Sequence, residues 1–301
     1  MSDFPLADLE LSRRLERAEA LSNARFVEAR ATMFPDSGAT WIEVAGARAM
    51  YDGVSSPLTQ TFGLGLFQPA TAADLDAIEA FYTERGARVF HEISPLADVG
   101  LWPLLAERGY RPFEFSSVLY QPIDLAGRKP RATQGGAPGA ASPVAQGATS
   151  DEPAATDAAT DVVQAFRPAV RLIEQGEEET YARTSAAGWA EFGVGDFLLE
   201  IGRVSARVDG LRLFVAELDG KPIAAGALNL CDGVALLAGA STIPEGRKRG
   251  AQLALLDHRL HYAAAHGCDV AMMAALPGSG SQRNAERNGF RIAYTRIKWQ
   301  H

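Results

Sequence analysis

The sequence predicts an α/β protein of the α+β type, with mixed sheets flanked by helices and arranged in two related halves. Three observations carry that expectation. Asp219-Gly220 and Asp232-Gly233 each sit between apolar runs and mark antiparallel hairpins. Those hairpins lead into a strand, a long amphipathic helix and a buried strand, which together suit a layered sheet-and-helix architecture. The same order of elements recurs in the N-terminal half.

Taken in order, residues 6–31 show a long helical pattern, and 41–51 and 58–66 read as strands. A helix is expected over 71–85, a strand over 88–93, a helix over 99–108 and a strand over 110–120. In the second half a strand is expected over 162–173, followed by helices over 177–187 and 196–208. Strands over 211–218, 223–230 and 234–243 precede a helix over 250–266, in which Leu253, Leu256, Leu260 and Ala264 share one face. A strand over 270–275, a short helix over 281–288 and a strand over 290–299 complete the chain. Ala-Glu-Arg-Gly-Tyr-Arg at 106–111 echoes Ala-Glu-Arg-Asn-Gly-Phe-Arg at 285–291, and Gly86 and Val89 match Gly267 and Val270. Two matches at nearly the same offset, in the same element order, point to duplication.

Between the halves, residues 126–161 are dominated by Ala, Gly, Pro, Ser and Thr, with Val144 the single large aliphatic residue. Such a segment buries too little apolar surface to offset its ordering entropy. The expected organisation is therefore a domain at 1–125, a flexible linker at 126–161 and a domain at 162–301.

Composition narrows the function. Of 301 residues, 47% are hydrophobic and 22% charged, an ordinary balance for a folded soluble protein. No apolar run approaches the ~18 residues of a membrane span. The N-terminus shows no basic patch followed by an apolar stretch, so no secretory signal is expected. Cys231 and Cys268 lack zinc-site spacing and suit free thiols in a reducing cytoplasm, and no metal site is expected. A net charge of −8 argues against a nucleic-acid partner.

The informative stretch runs from Thr242 to Gln252, where a strand ends and a helix opens. The first N–H groups of a helix have no internal partners, and the helix dipole is positive there. A phosphate can accept from them. Gly250 permits close approach, Arg247, Lys248 and Arg249 add charge, and no acid occupies the first turn. A solvated basic turn is the alternative reading.

Pro244-Glu245-x-Arg247-x-Arg249-Gly250, followed by Leu255-Leu256, resembles motif A of the GNAT superfamily of N-acetyltransferases. Gly289-Phe290 resembles the family's Gly-Phe after its last helix, and the likeness in order and spacing extends over 162–301. The resemblance implies two GNAT-like domains, the N-terminal one degenerate, with acetyl-CoA as acyl donor. It implies that Arg247, Lys248, Arg249, Gly250, Ala251 and Gln252 hold the pyrophosphate. Thr242 and Ile243, at the end of the preceding strand, would meet the pantetheine arm, and Asn284 would contact the cofactor. The acceptor would be an amine of a small molecule or a peptide.

Three positions depart from the family pattern. Gln252 stands where Gly or Ala is usual, Ala285 where many members carry a Tyr that protonates the leaving thiolate, and Gly278 where an Asn often contacts the cofactor. Ser281 and Tyr294 are the candidate substitutes for the missing acid. Their alternatives are a helix N-cap and an ordinary strand aromatic. His258 and His261 suit a solvated helix face, His91 a structural role and Glu217 a solvated flank. Gly63-x-Gly65 lacks dinucleotide-site context. Trp189, Glu191 and Phe192 lie where similar enzymes line the acceptor pocket, or else form a core pair. The functional expectation is direct acetyl transfer to an amine; a non-catalytic acyl-CoA-binding module is the alternative. One acetyl-CoA per chain is expected, because Thr71 and Asp74 satisfy and repel at the equivalent N-terminal helix start.

Overall fold

The computed structural model of the chain describes residues 4–123, 168–192 and 195–301. The expected linker at 126–161 and residues 162–167 of the expected first strand of the second half lie outside the described residues.

The N-terminal half opens with α1 (Leu9–Met33), capped by Asp8, whose side chain accepts from the Leu11 N–H. Strands β1 (Thr40–Val44) and β2 (Ala47–Tyr51) follow as a hairpin rather than the single strand expected over 41–51. The reason is local: Ala45 (φ 49°) and Gly46 (φ 76°) both adopt left-handed backbone, which reverses the chain. Then come β3 (Gln60–Phe62), α2 (Ala72–Thr83), β4 (Phe90–Ile93), α3 (Leu101–Glu107) and β5 (Arg111–Pro122). The second half supplies β6 (Ala169–Leu172), α4 (Glu178–Ala187), α5 (Gly195–Ser205), β7 (Arg212–Leu218), β8 (Lys221–Cys231) and β9 (Val234–Thr242). It ends with α6 (Ala251–Ala265), β10 (Val270–Ala275), α7 (Gly280–Arg287) and β11 (Arg291–Gln300).

Both expected Asp-Gly turns form, with positive φ at Asp219, Gly220, Asp232 and Gly233. The sequence repeat also has a structural counterpart. After α2 and α6 the chain leaves through Gly86 and Gly267, and the following N–H groups, of Ala87 and Cys268, donate to Tyr82 and Ala263. After α3 and α7 the same arrangement recurs at Gly109 and Gly289, with Tyr110 and Phe290 donating to Leu105 and Ala285. A left-handed residue past the last turn is what lets such helices end this way.

The strands form one eleven-stranded mixed sheet in the order β1-β2-β3-β4-β11-β5-β10-β9-β8-β7-β6. Each half has given its last strand to the other. β11 lies beside β4, and β5 lies beside β10, all antiparallel. β5 and β11 also pair with each other, from Tyr120↔Arg291 to Arg111↔Gln300.

Helix α1 covers this junction. Leu11, Leu15 and Ala18 pack with Val118 and Tyr120 of β5, Val234 and Leu236 of β9, Val270 and Met272 of β10, and Tyr294 of β11. On the opposite face α6 buries Leu255, Leu256, Leu260 and Ala263 with Leu119, Phe214 and Ala271. Its buried stripe includes Arg259 rather than Leu253, which is only half-buried.

A charged cluster locks the exchange. Arg296 of β11 is fully buried and meets Glu16 at 2.6 Å and Glu19 at 2.6 Å on α1, and Glu92 of β4 at 3.2 Å. Burial pulls its guanidinium down, but the three carboxylates outweigh that and hold its pKa well above the ordinary arginine value.

Candidate functional site

The site is built where β9 and β10 part. These parallel strands pair only at Val234↔Val270, Ala235↔Ala271 and Leu236↔Met272. Beyond that point both continue without pairing to each other, and Ala238, Gly239 and Ala274 are exposed along the opening.

The register of β8 and β9 slips within this region. Ala225 faces Ser241 and Ala227 faces Ala238, so Gly239 and Ala240 together oppose Gly226. Gly239 has φ +59°, which glycine adopts without penalty. A bulge of this kind leaves one residue's backbone unpaired in the ladder. A glycine inside the run Val234–Thr242 was the available sequence signal for it.

At the C-terminal end of β9 the loop is fixed at both sides. The Ile243 N–H donates to Ile223 O, and Gly246 packs so closely on β8 that a Cβ would come within 2.8 Å of Ile223 Cβ. Gly250 caps α6 with φ +78° and provides no side-chain cap, and no acid lies in the first turn. The first intrahelical bond runs from Ala254 N–H to Gly250 O. The N–H groups of Ala251, Gln252 and Leu253 therefore precede the ladder and face outward from it. Lys248 and Arg249 are exposed and form no ion pair among the described residues.

Two loop residues behave differently from expectation. Arg247 turns away to Glu191, its Nη1 donating to both carboxylate oxygens at 2.9 and 2.8 Å, and Nη2 reaches Gly188 O. Gln252 does not crowd the loop. Its Nε2 donates to Thr242 Oγ1 at 2.8 Å and staples the helix start to the strand end.

Helix α4 forms one wall. Ser241 Oγ donates to Ser185 O at 2.9 Å, and a Cβ on Gly188 would lie 2.5 Å from Ser241 Cβ. The helix can lie on β9 only because that residue is glycine. Trp189 is partly exposed beyond it. Glu217 is held by Arg171 at 2.7 Å, which removes it as a free base.

The candidate acids do not converge on the opening. Tyr294 faces α1, on the side of the sheet away from α6, and its hydroxyl donates to Glu16 Oε1 at 2.8 Å. Burial, with the Glu16 carboxylate beside it, raises its pKa well above that of an ordinary phenol. Tyr294 is therefore corrected from candidate acid to part of the junction cluster. Ser281 is exposed inside the first turn of α7, and Ser279 is the N-cap, accepting from the Gln282 N–H at 3.2 Å. Asn284 is exposed, and its backbone oxygen accepts from Asn288 Nδ2. Ala285 is buried in the α6-side core.

His258 packs edge-on against Phe214, and burial lowers its pKa. His91 is fully buried against Tyr110, and burial pulls it down to about 3.

The matching region of the first half is closed. β3 and β4 pair at Thr61↔His91 and Phe62↔Glu92. Past them Leu64, Leu101 and Ile93 are buried together, and the Asp98 N–H donates to Gly65 O at 2.8 Å. Thr71 caps α2 as expected and forms a capping box with Asp74, its N–H donating to Asp74 at 2.8 Å and the Asp74 N–H donating to Thr71 Oγ1 at 3.3 Å.

Comparison with known proteins shows what these features resemble. Residues 147–279 match the family model described as an acetyltransferase (GNAT) domain. No curated protein matches the chain at a significant level. Among solved structures, the tandem GNAT protein from the clavulanic acid biosynthesis pathway, solved without AcCoA, is 12% identical over 99% of this chain and 97% of its own, with a TM-score of 0.56. A GCN5-related N-acetyltransferase from Kribbella flavida is 17% identical over 92% and 95%, with a TM-score of 0.52. One from Sphaerobacter thermophilus is 15% identical over 99% and 94%, with a TM-score of 0.51. At these identities the likeness is one of fold.

Proposed function

With a GNAT acetyltransferase domain at residues 147–279 and a tandem GNAT fold along the chain as the premise, we propose that the protein is an acetyl-CoA-dependent N-acetyltransferase acting on an amine of a small molecule or peptide. The observation that carries this reading is the continuous path from the acid-free start of α6 to the bulge at Gly239. A pyrophosphate at Lys248–Gln252 receives the outward N–H groups and two cations, Lys248 and Arg249, that form no ion pair among the described residues. From Thr242 back to Gly239 the strand covers about 10 Å, so an arm lying along β9 carries the thioester into the opening.

Acetyl transfer there is direct. The neutral amine attacks the thioester carbonyl, the C–N bond forms, the C–S bond breaks, and the proton lost by the amine is balanced by the one taken up at sulfur. The protein contributes alignment and a bulge N–H aimed at the oxygen on which charge develops. The N-terminal half takes no cofactor in this reading, because its helix start is self-capped and Asp74 repels a pyrophosphate. A cytoplasmic setting suits the two buried free thiols, Cys231 and Cys268. No helix among the described residues is long and apolar enough to cross a membrane.

A non-catalytic acyl-CoA-binding module is the second reading, favoured by the buried Ala285 and by Tyr294 facing Glu16. Calorimetry with acetyl-CoA, beside thiol-release assays on an amine panel, separates the two. Gly250→Asp puts a charge against the pyrophosphate, and losing one or two charge-assisted bonds of ~1.5–3 kcal/mol weakens binding at least about tenfold. Unchanged affinity in folded Gly250→Asp protein refutes the cofactor loop.

A further inference from the structure

The opening between β9 and β10 contains a hydroxyl that the family resemblance does not explain. Tyr181 lies on α4, the wall that crosses β9, and is 2% exposed. Its ring packs among Leu213, Val215, Ala225 and Ala227, which holds the side chain in place. Its hydroxyl oxygen lies 3.7 Å from where a side chain on Gly239 would begin. Among the described residues this hydroxyl makes no hydrogen bond. A hydroxyl held at this position can donate to an acceptor that enters the opening.

A second unusual group stands behind the same bulge. Arg259 is buried on α6 with no carboxylate partner among the described residues. Its Nη1 donates to Ala227 O at 3.0 Å and to Ala238 O at 3.4 Å, the carbonyls of the pair that borders the register slip on one side. A Cβ on Gly226 would come within 3.1 Å of that nitrogen. Glycine at 226 and at 239 thus makes room on the two faces of one point in the sheet, with a cation on one side and a phenol on the other. Burial lowers the guanidinium to about 10, which leaves it charged at neutral pH. Burial raises the Tyr181 phenol, which keeps its proton. A neutral phenol that holds its proton serves as a hydrogen-bond donor and not as an acid.

We propose that Tyr181 is a catalytic residue whose hydroxyl, together with the unpaired bulge N–H, receives the thioester carbonyl oxygen of the acyl donor at Gly239. The inference rests on the acetyl-CoA reading above. The hydroxyl donates to the carbonyl oxygen when the thioester is present. As the amine attacks and charge passes to that oxygen, both donors and the nearby Arg259 cation stabilise it. No proton leaves Tyr181. This assigns the electrostatic part of the reaction to α4, in a chain whose α7 offers Ala285 at the usual tyrosine position.

The test uses the full chain and acetyl-CoA carrying carbon-13 at the thioester carbonyl, read by difference infrared spectroscopy. Bound to the wild type, the carbonyl band shifts down. In Tyr181→Phe it moves back up, while affinity for CoA itself stays within about twofold and turnover falls roughly 100-fold. An identical band in both proteins overturns the proposal and leaves the acetyl-CoA reading standing. Failure of the wild type to bind acetyl-CoA overturns both. Should Tyr181→Phe misfold, 3-fluorotyrosine at 181 keeps the ring and strengthens the donor. The band then shifts further down, and an unmoved band overturns the assignment.

Discussion

Replacing Arg296 with Met should destabilise the whole sheet, because that one guanidinium neutralises carboxylates from two elements. The methionine fills much of the space but leaves Glu16 fully buried without its cation, and Glu92, nearly as buried, with only Lys298 at 3.8 Å. Breaking one side of a buried charge cluster costs about 3–5 kcal/mol. In a chain of this size that lowers the melting temperature by roughly 5–10 °C. The loss should depend on pH. Burial already raises the Glu16 carboxyl, and Arg296 opposes that rise. Without Arg296 the folded-state value climbs further above the unfolded one. A carboxyl raised in this way stabilises the fold below its unfolded value near 4.5, and that contribution fades as pH rises through the folded value. The Arg296→Met deficit is therefore smaller at pH 5 than at pH 8. Urea denaturation at both values reads it directly. A deficit below ~1 kcal/mol at pH 8, or one equal at the two pH values, refutes the view that the cluster holds the halves together.

Three further outcomes follow from the site. Gly188→Ala drives a methyl to within 2.5 Å of Ser241 Cβ, so α4 lifts from β9; acetyl-CoA binding weakens and stability falls by about 1–3 kcal/mol, checked by calorimetry and melting. Arg247 and Glu191 form an exposed pair, and a double-mutant cycle with alanine at both should give a coupling of ~0.2–1 kcal/mol, a larger value meaning the pair is shielded from solvent. Equilibrium titration with acetyl-CoA should saturate near one per chain, and a value near two overturns the reading of the self-capped helix at Thr71 and Asp74.

Local chemistry in the sequence was legible where one residue decides one conformation. The Asp-Gly pairs specify their turns through positive φ, and Thr71 with Asp74 specifies a capping box. The strand over 270–275 stands out as an apolar run, and the loop at 247–252 by its lack of acids. What escaped was set by distant partners. Arg259 and Arg296 carry charge, and a charged residue on a helix or strand reads as surface until its partners are known. Tyr294 was misassigned because alternation tells which residues share a face but not which face meets α1. The strand exchange left no local trace, since β5 and β11 have the same pattern whichever sheet they join. Tyr181 reads as one buried position of a helix, and only the fold brings its hydroxyl to Gly239.

That exchange also gives the first half a part in the proposed site, although that reading places no cofactor in it. One wall of the opening is β10, which pairs with β9 through only three residues before the two diverge. Its other edge pairs with β5 along its whole length, from Val270↔Pro122 to Ala275↔Ser117. Without β5, the diverging part of β10 would be an edge strand with free backbone groups on both sides. Leu15 and Ala18 of α1 pack with Val270 and Met272 at the paired start of β10. The first half has filled its own opening with Leu64, Leu101 and Ile93, and it supplies the strand and helix that keep the second opening rigid. In the proposed reaction, pre-alignment of a thioester against a bulge N–H and a phenol depends on walls that do not move. In this chain the stiffness of one wall comes from residues that precede, in sequence, the stretch matching the acetyltransferase family model.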